Sequence, residues 1–371
     1  MRAKDVPRSI FDTMRKRKRT IFRRLLIYLI ILAILFPFVF INRTAIYSTI
    51  LSRYDTWRHW RNSDGFPVTD YGYQAGVYVG EQISMRLVSS NAIAYHEQWK
   101  AGNSSAEVFF NNMIDYILEH RKDIQVPTEN GSRTITVWPY EFAIWDLPKG
   151  WQSAMVDARV LNALALAYQE YGNSSLSTII DQSIASFETP TYLGGNLLVL
   201  EDGTYWYPET VIPNELYPDY PVPLILNGFL FALENMYHAN EILNNTSLET
   251  VFNKGIISAA ANLYRYDLPQ YNWTLYHIAY PQKLASNSYH NIHISLTRQL
   301  YEWTNVSIFD TYSTKWESYT SRPFFTWEEI FSWEFISNGL LMVSLILIPI
   351  VSIDILQVLV RSYMRREAQS S

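Results

Sequence analysis

The 371-residue sequence contains no cysteine. That excludes a disulfide framework, a thiolate metal site and a cysteine nucleophile, so a folded domain must be held by its core alone. Basic residues are scarce through the middle of the chain. Residues 42–334 carry 17 Lys and Arg against 31 Asp and Glu, a net −14 inside a whole-chain charge of −5. A segment this acidic lacks the electrostatic footprint of a nucleic-acid binder and shows no basic groove for a polyanion. Low-complexity and heptad patterns are missing too, which excludes a disordered or coiled-coil chain. Aromatics are plentiful, at 15% with 27 Tyr and 12 Trp. That fits a carbohydrate-active surface or a membrane interface.

Long apolar runs occur only at the two ends. Residues 15–19 read RKRKR, Arg23 and Arg24 follow, and residues 25–41 carry no charge. That run is at the short end for a membrane span, yet long for a signal-peptide core, and no small-residue cleavage site follows it. Residues 336–353 are again uncharged, with Asp354 and the basic RSYMRR beyond. The expectation is a transmembrane helix at 25–41 and another at 336–358. The basic tails, 1–24 and 359–371, are then cytoplasmic. What lies between faces the cell surface or a Golgi-like lumen. Glycosylation sequons at Asn42, Asn103, Asn130, Asn173, Asn244, Asn245, Asn272 and Asn305 all fall there. Within that segment, 42–72 and 320–335 read as connectors and 73–319 as the folded domain.

From residue 73 the apolar spacing turns helical: GYQAGVYVGEQISMRLVS, then AEVFFNNMIDYILEHRKDI, repeat apolar residues every three or four positions. Residues 126–148 read as a loop. A helix over 153–171 carries Ala154, Ala158, Ala163, Ala165 and Ala167, small enough for close helix contacts, and another follows at 176–187. Gly-Asn-Ser-Ser stops one helix and caps the next at 102–105 and again at 172–175. This trace of repetition predicts helical hairpins. Residues 194–206 read as a short β-hairpin. Residues 205–223 are rich in tyrosine and hold five prolines with the acids Glu209, Glu215 and Asp219, a loop that is neither helix nor central strand. A helix begins at Leu224, with Leu226, Phe229, Leu230, Leu233 and Tyr237 on one face; Asn227-Gly228 near its start allows close backbone packing. Further helices are expected at 248–263, 292–303 and 313–319. The fold class is therefore mainly α: an incomplete (α/α) barrel or toroid of helical hairpins, aromatic loops at one mouth, flanked by one transmembrane helix at each end.

Taken in order, WPYEF (138–142), GWQSAM (150–155), ALAYQEYG (165–172), WYPE (206–209), YP and LNGF within 217–229, NLYRYDLP (262–269), LYH (275–277) and SYHNIHI (288–294) carry a resemblance. Together they resemble the C-terminal catalytic domain of the D-glucuronyl C5-epimerases, the heparosan-modifying type, over residues 73–319. The family's N-terminal β-rich domains have no counterpart here, so cation sites associated with them do not carry over. The resemblance implies an isomerase without cofactor or metal, acting on an extracytoplasmic uronate-containing polysaccharide or glycan beside a lipid bilayer.

Such an enzyme removes the proton α to the uronate carboxylate and returns one on the opposite face. That takes an acid/base group on each face and donors for the enolate oxygen. The family's glutamate matches Glu209 if an insertion of seven residues follows it, and Glu215 if the insertion precedes it. Tyr217 matches under both alignments. The tyrosine of the other face matches Tyr289, with His290 and His293 beside it, His290 being the neighbour placed to tune it. Tyr217 and Tyr276 are expected to donate to the substrate carboxylate, and Trp206, Tyr207 and Asn227 to contact the sugar. The family's carboxylate-binding arginine falls at Ala279; Arg265 and Lys283 are the nearby bases able to replace it. Two other readings stay open: a glycoside hydrolase or lyase using Glu209 and Asp146, and a non-catalytic glycan-binding envelope protein.

Overall fold

The structure, a computed structural model, describes residues 58–74, 77–129, 131–145, 147–212, 221–279 and 282–319, together with Leu26, Tyr28 and Ile30. The chain divides into two compact units, and Arg53–Glu328 holds all of the described residues but those last three. Among the described residues no helix is long and apolar enough to cross a membrane. The runs 25–41 and 336–358, expected to span one, lie otherwise outside the described residues, as do Asp146, Glu215 and Tyr217.

Eight α-helices are described: α1 (Met85–Lys100), α2 (Ser105–Glu119), α3 (Ala154–Tyr171), α4 (Ser174–Ser186), α5 (Leu226–Leu243), α6 (Thr246–Asn262), α7 (Asn287–Thr304) and α8 (Ser307–Glu317). They pair as consecutive hairpins, α1 with α2, α3 with α4, α5 with α6 and α7 with α8. The first helix of each hairpin also packs on the first helix of the next, α1 on α3, α3 on α5 and α5 on α7. The inner helices thus form a continuous row backed by their partners, as the helical-hairpin reading expects.

Side-chain size explains the inner row. In α3, Ala154, Ala158, Ala163, Ala165 and Ala167 are all fully buried, and Val160, Leu161 and Leu164 fill the remaining positions. A helix apolar on every side is one with neighbours on every side. Capping fixes the hairpin turns. Asn173 and Asn245 accept backbone N–H groups at the starts of α4 and α6, satisfying donors that a helix leaves open. Gly172, Asn244 and Asn305 close α3, α5 and α7 in the left-handed conformation. Five of the eight sequon asparagines therefore sit at helix caps or, for Asn272, at the left-handed end of a 3₁₀ turn. The Asn-X-Ser/Thr spelling here also encodes turn chemistry.

Two stretches differ from expectation. Residues 58–82, read as a connector running into a helix, are strands: β1 (Arg58–Arg61), β2 (Pro67–Asp70), β3 (Tyr73–Gln74), β4 (Val77–Tyr78) and β5 (Glu81–Gln82). β1, β2 and β5 form an antiparallel sheet in that order. The sheet is tied to the first hairpin: the Tyr95 hydroxyl donates to the Gly65 carbonyl at 3.1 Å and Asn112 Nδ2 to the Asp64 carbonyl at 2.9 Å. Short runs with glycines at 72, 76 and 80 cannot sustain a helix, whatever their apolar spacing. Residues 122–137, read mostly as loop, form the hairpin of β6 (Lys122–Thr128) and β7 (Gly131–Val137). The expected hairpin of β8 (Leu198–Val199) and β9 (Tyr205–Trp206) is present. Before α7 comes a small sheet of β10 (Asp267–Leu268), β11 (Trp273–His277) and β12 (Lys283–Leu284).

Candidate active site

The segment carrying Glu209 is strapped to the start of α3. Ala154 N donates to the Pro208 carbonyl at 3.0 Å, and Gln152 and Val211 exchange two backbone hydrogen bonds. From there the Glu209 side chain lies against the first turn of α5. A methyl group at Gly228 would overlap its carboxylate oxygen and its Cβ. Asn227 Nδ2 approaches Oε2 at 3.4 Å, while Asn227 Oδ1 is buried without a partner. A bridge between Ile225 and His277 joins the same turn of α5 to β11, which carries Tyr276. The Tyr276 ring lies 4.8 Å from that of Tyr289, three residues into α7, in a tilted contact.

Burial pushes the Glu209 carboxyl up to about 7, against the pull of Arg86 and Arg159. It is therefore poised near neutrality, where one carboxyl serves as base or acid. Tyr289 is also raised, by burial and by the Glu209 charge, with Tyr276 and Arg86 opposing. At 38% exposure it keeps contact with solvent. Burial drives Tyr276 well up, helped by Glu209 and Tyr289. Glu209 and the two tyrosines thus sense one another.

The cations here come from helices that the sequence reading had not connected with the site. Arg86 stands in the first turn of α1, and it opposes the burial-driven rise in Tyr71, Tyr140, Glu209 and Tyr289. Arg159 is in the second turn of α3. Its guanidinium lies 5.6 Å over the Phe231 ring and donates to Ser90 Oγ at 3.2 Å. Tyr140 stacks face to face on Trp151 at 3.8 Å, beside a cavity of about 270 Å³ that Met85 and Phe142 also line. Arg86, Arg159, Asn227 and Tyr289 all stand within the first two turns of the inner helices α1, α3, α5 and α7.

Several expected contacts have other work. Tyr207 is wholly buried, its hydroxyl donating to the Val251 carbonyl at 2.7 Å, and Trp206 stacks on Phe229 at 3.9 Å in the core. Neither face is open to a sugar, because the aromatics of this stretch fill the space between α5 and α6. His290 and His293 are buried around Thr274. His290 Nε2 donates to the Trp316 carbonyl at 3.1 Å, its Nδ1 accepts from Thr274 Oγ1 at 2.8 Å, and His293 Nδ1 donates to that same oxygen at 3.2 Å. Burial lowers His293 to about 3 and lowers His290 as well, so both rings are neutral. With both nitrogens committed, His290 does not tune Tyr289. Arg265 bonds Asn262 at 3.0 Å on an exposed turn. Lys283 is exposed, with Nζ 5.9 Å from the Tyr276 ring centre. No cluster of three metal-ligating side chains occurs among the described residues.

One buried acid was missed. Asp157, in the first turn of α3, accepts from Trp138 N at 3.1 Å and from Asn196 Nδ2 at 2.8 Å, and burial raises it to about 7. It pins the WPYEF strand end to α3 and does not reach Glu209. Its position inside an alanine-rich helix gave no sequence signal beyond an acid on an apolar face.

The family model described as D-glucuronyl C5-epimerase C-terminus matches residues 132–318. The chain belongs to that family. A D-glucuronyl C5-epimerase of Caenorhabditis elegans is 25% identical over 190 residues, which is 47% of this chain and 29% of that protein. An uncharacterised protein of Methanocaldococcus jannaschii is 26% identical over 262 residues, 67% of this chain and 82% of the relative. Among solved structures, the cellobiose 2-epimerase of Bacillus thermoamylovorans is similar at a TM-score of 0.46, with 11% identity and 67% of each chain covered. This epimerase-family chain matches from β7 to the end of α8, which takes in Glu209, Tyr276 and Tyr289 but leaves α1 and its Arg86 outside the match.

Proposed function

We propose that this protein inverts C5 of a uronic acid residue in a glycan, exchanging the C5 proton between two faces of the ring. The observation that carries the reading is Glu209, raised by burial to about 7 and in electrostatic contact with Tyr276 and Tyr289, whose rings pack together at 4.8 Å. In the direction from glucuronate to iduronate, the Glu209 carboxylate takes the C5 proton as the C5–H bond breaks. The electron pair moves into the carboxylate as an enolate. Tyr289, protonated because its pKa is raised, then delivers its hydroxyl proton to C5 from the other face. The resulting phenolate is stabilised by Tyr276 and regains a proton from solvent, to which Tyr289 is open. Glu209 releases its own proton, and the cycle closes without a cofactor. In reverse, the same two groups exchange roles.

The apolar runs 25–41 and 336–358 with their basic flanks support anchoring in a bilayer, both termini cytoplasmic and the folded unit outside. An extracytoplasmic uronate-containing polysaccharide is then the substrate. Incubation with glucuronate polysaccharides, followed by parallel assays for C5 deuteration in D₂O and for new reducing ends, tests the reading. Deuteration without cleavage supports it; cleavage without deuteration replaces it with a hydrolase or lyase.

A further inference from the structure

The family motif leaves position 279 as alanine, so the substrate carboxylate of a uronate has no cation there. Arg86 and Arg159 offer one from α1 and α3. Arg86 and Ser90 are one turn apart on the same face of α1, and Arg159 reaches across from α3 to Ser90 Oγ. Both guanidiniums therefore lie along one strip of the α1 surface, partly buried. Among the described residues neither has a carboxylate within 4.0 Å. The described ion pairs all lie elsewhere, so two like charges are held together, and both act on the buried Glu209 carboxyl. Partly buried guanidiniums are costly, and for Arg159 the Glu234 and Glu209 charges, beyond ion-pair distance, offset that burial only in part. They are also pre-organised to receive a planar carboxylate through two parallel N–H···O bonds. The inner helices reinforce them. The first two turns of α1, α3, α5 and α7 supply the site's side chains, and helix N-termini carry partial positive charge.

We propose that Arg86 and Arg159 together bind the carboxylate of the substrate uronate and hold its C5 between Glu209 and Tyr289. This rests on the uronate reading above. It accounts for the missing family arginine: the cation has moved from the strand side of the site to α1 and α3. It also gives the enolate, whose charge grows on those carboxylate oxygens, two fixed cations at the moment of proton transfer.

The test uses the full-length chain and two small probes, D-glucuronate and D-glucose, in thermal unfolding at constant ionic strength. A ligand that binds only the folded state raises Tm with concentration. D-Glucuronate is expected to raise Tm where D-glucose does not. Arg86→Gln and Arg159→Gln should each need about ten- to a hundredfold more glucuronate for the same rise, the range for hydrogen bonds to a charged group. Arg86→Lys and Arg159→Lys should keep part of the response, and Arg298→Gln all of it. The lysine variants carry the test if a glutamine variant unfolds. Equal response to glucose and glucuronate, or full response in both glutamine variants, overturns the proposal. C5 exchange separates it from the reading it rests on. Glucuronate binding through the arginines with no exchange on any uronate polymer sinks the epimerase and leaves the carboxylate site. Exchange at the wild-type rate in both glutamine variants does the reverse.

Discussion

The absent side chain of Gly228 is the space that the Glu209 carboxyl occupies: a methyl there would overlap the Glu209 carboxylate and Cβ and come within 2.8 Å of Cγ. Gly228→Ala should therefore displace Glu209 while leaving a helix-favouring residue in α5. Overpacking of this kind costs about 1–3 kcal/mol, part of it offset by the higher helix propensity of alanine. C5 exchange should fall far more than stability does, by about 10²-fold or more, since misplacing a catalytic group by an ångström has that effect. Full activity in a folded Gly228→Ala protein would mean that Glu209 does not act from this position.

The raised pKa of Glu209 makes a signed prediction about stability. Its folded value of about 7 lies above its ordinary 4.5, so the folded state binds a proton that the unfolded state has released between those values. Stability from this group is present below pH 4.5 and lost as pH rises to about 7. Glu209→Gln removes the loss. Allowing for the water that still reaches the group, the variant should be more stable than wild type at pH 8 by roughly 2 kcal/mol, and equal to it near pH 4. Denaturant unfolding at the two pH values measures this. A variant less stable at pH 8 would show that the carboxylate is held by partners rather than strained by burial.

Tyr289 should behave as the acid. Glu209 must be ionised to take the proton, and Tyr289 stays protonated through neutrality because burial raises it. The rate of C5 exchange from glucuronate should rise with pH through about 7 and hold a plateau until Tyr289 begins to ionise. Tyr289→Phe keeps a partly exposed ring, so stability should change little while exchange drops about 10²–10⁴-fold. A profile that falls across pH 6 to 8 would contradict the assignment of Glu209 as base.

The two histidines should matter to folding. Each is neutral, and their network runs from His293 through Thr274 to His290 and the Trp316 carbonyl. The folded pKa of His293, about 3, lies below its ordinary 6.5, so its contribution is present above pH 6.5 and is lost as pH falls. His293→Ala opens a buried site and should cost about 2–4 kcal/mol at pH 7, seen as a lower Tm, with kcat of the surviving folded protein little changed. Loss of kcat without loss of stability would return His293 to the site.

How much of this was legible depended on what each residue's neighbours reveal. The hairpins followed from periodicity and the repeated Gly-Asn-Ser-Ser, because helix caps are written in local sequence. Glu209 and Tyr289 were found through short motifs. Residues 73–82 were misread because spacing by three or four does not outweigh closely placed glycines. Trp206 and Tyr207 looked like a sugar platform, yet aromatics beside a buried helix pack on it as readily. Arg86 and Arg159 were invisible for a different reason. Each is a lone arginine in a helix, where a solvated position is the ordinary reading, and only the packing of α1 on α3 brings them together.

The central claim is proton exchange at C5 by Glu209 and Tyr289. Its most direct measurement is NMR of a glucuronate-containing polysaccharide incubated in D₂O with wild type, Glu209→Gln and Tyr289→Phe. The account predicts that wild type replaces the C5 proton with deuterium and forms iduronate without breaking a glycosidic bond, and that each variant falls by about 10²–10⁴-fold. Unchanged exchange in either variant, on a polymer that wild type turns over, would contradict it.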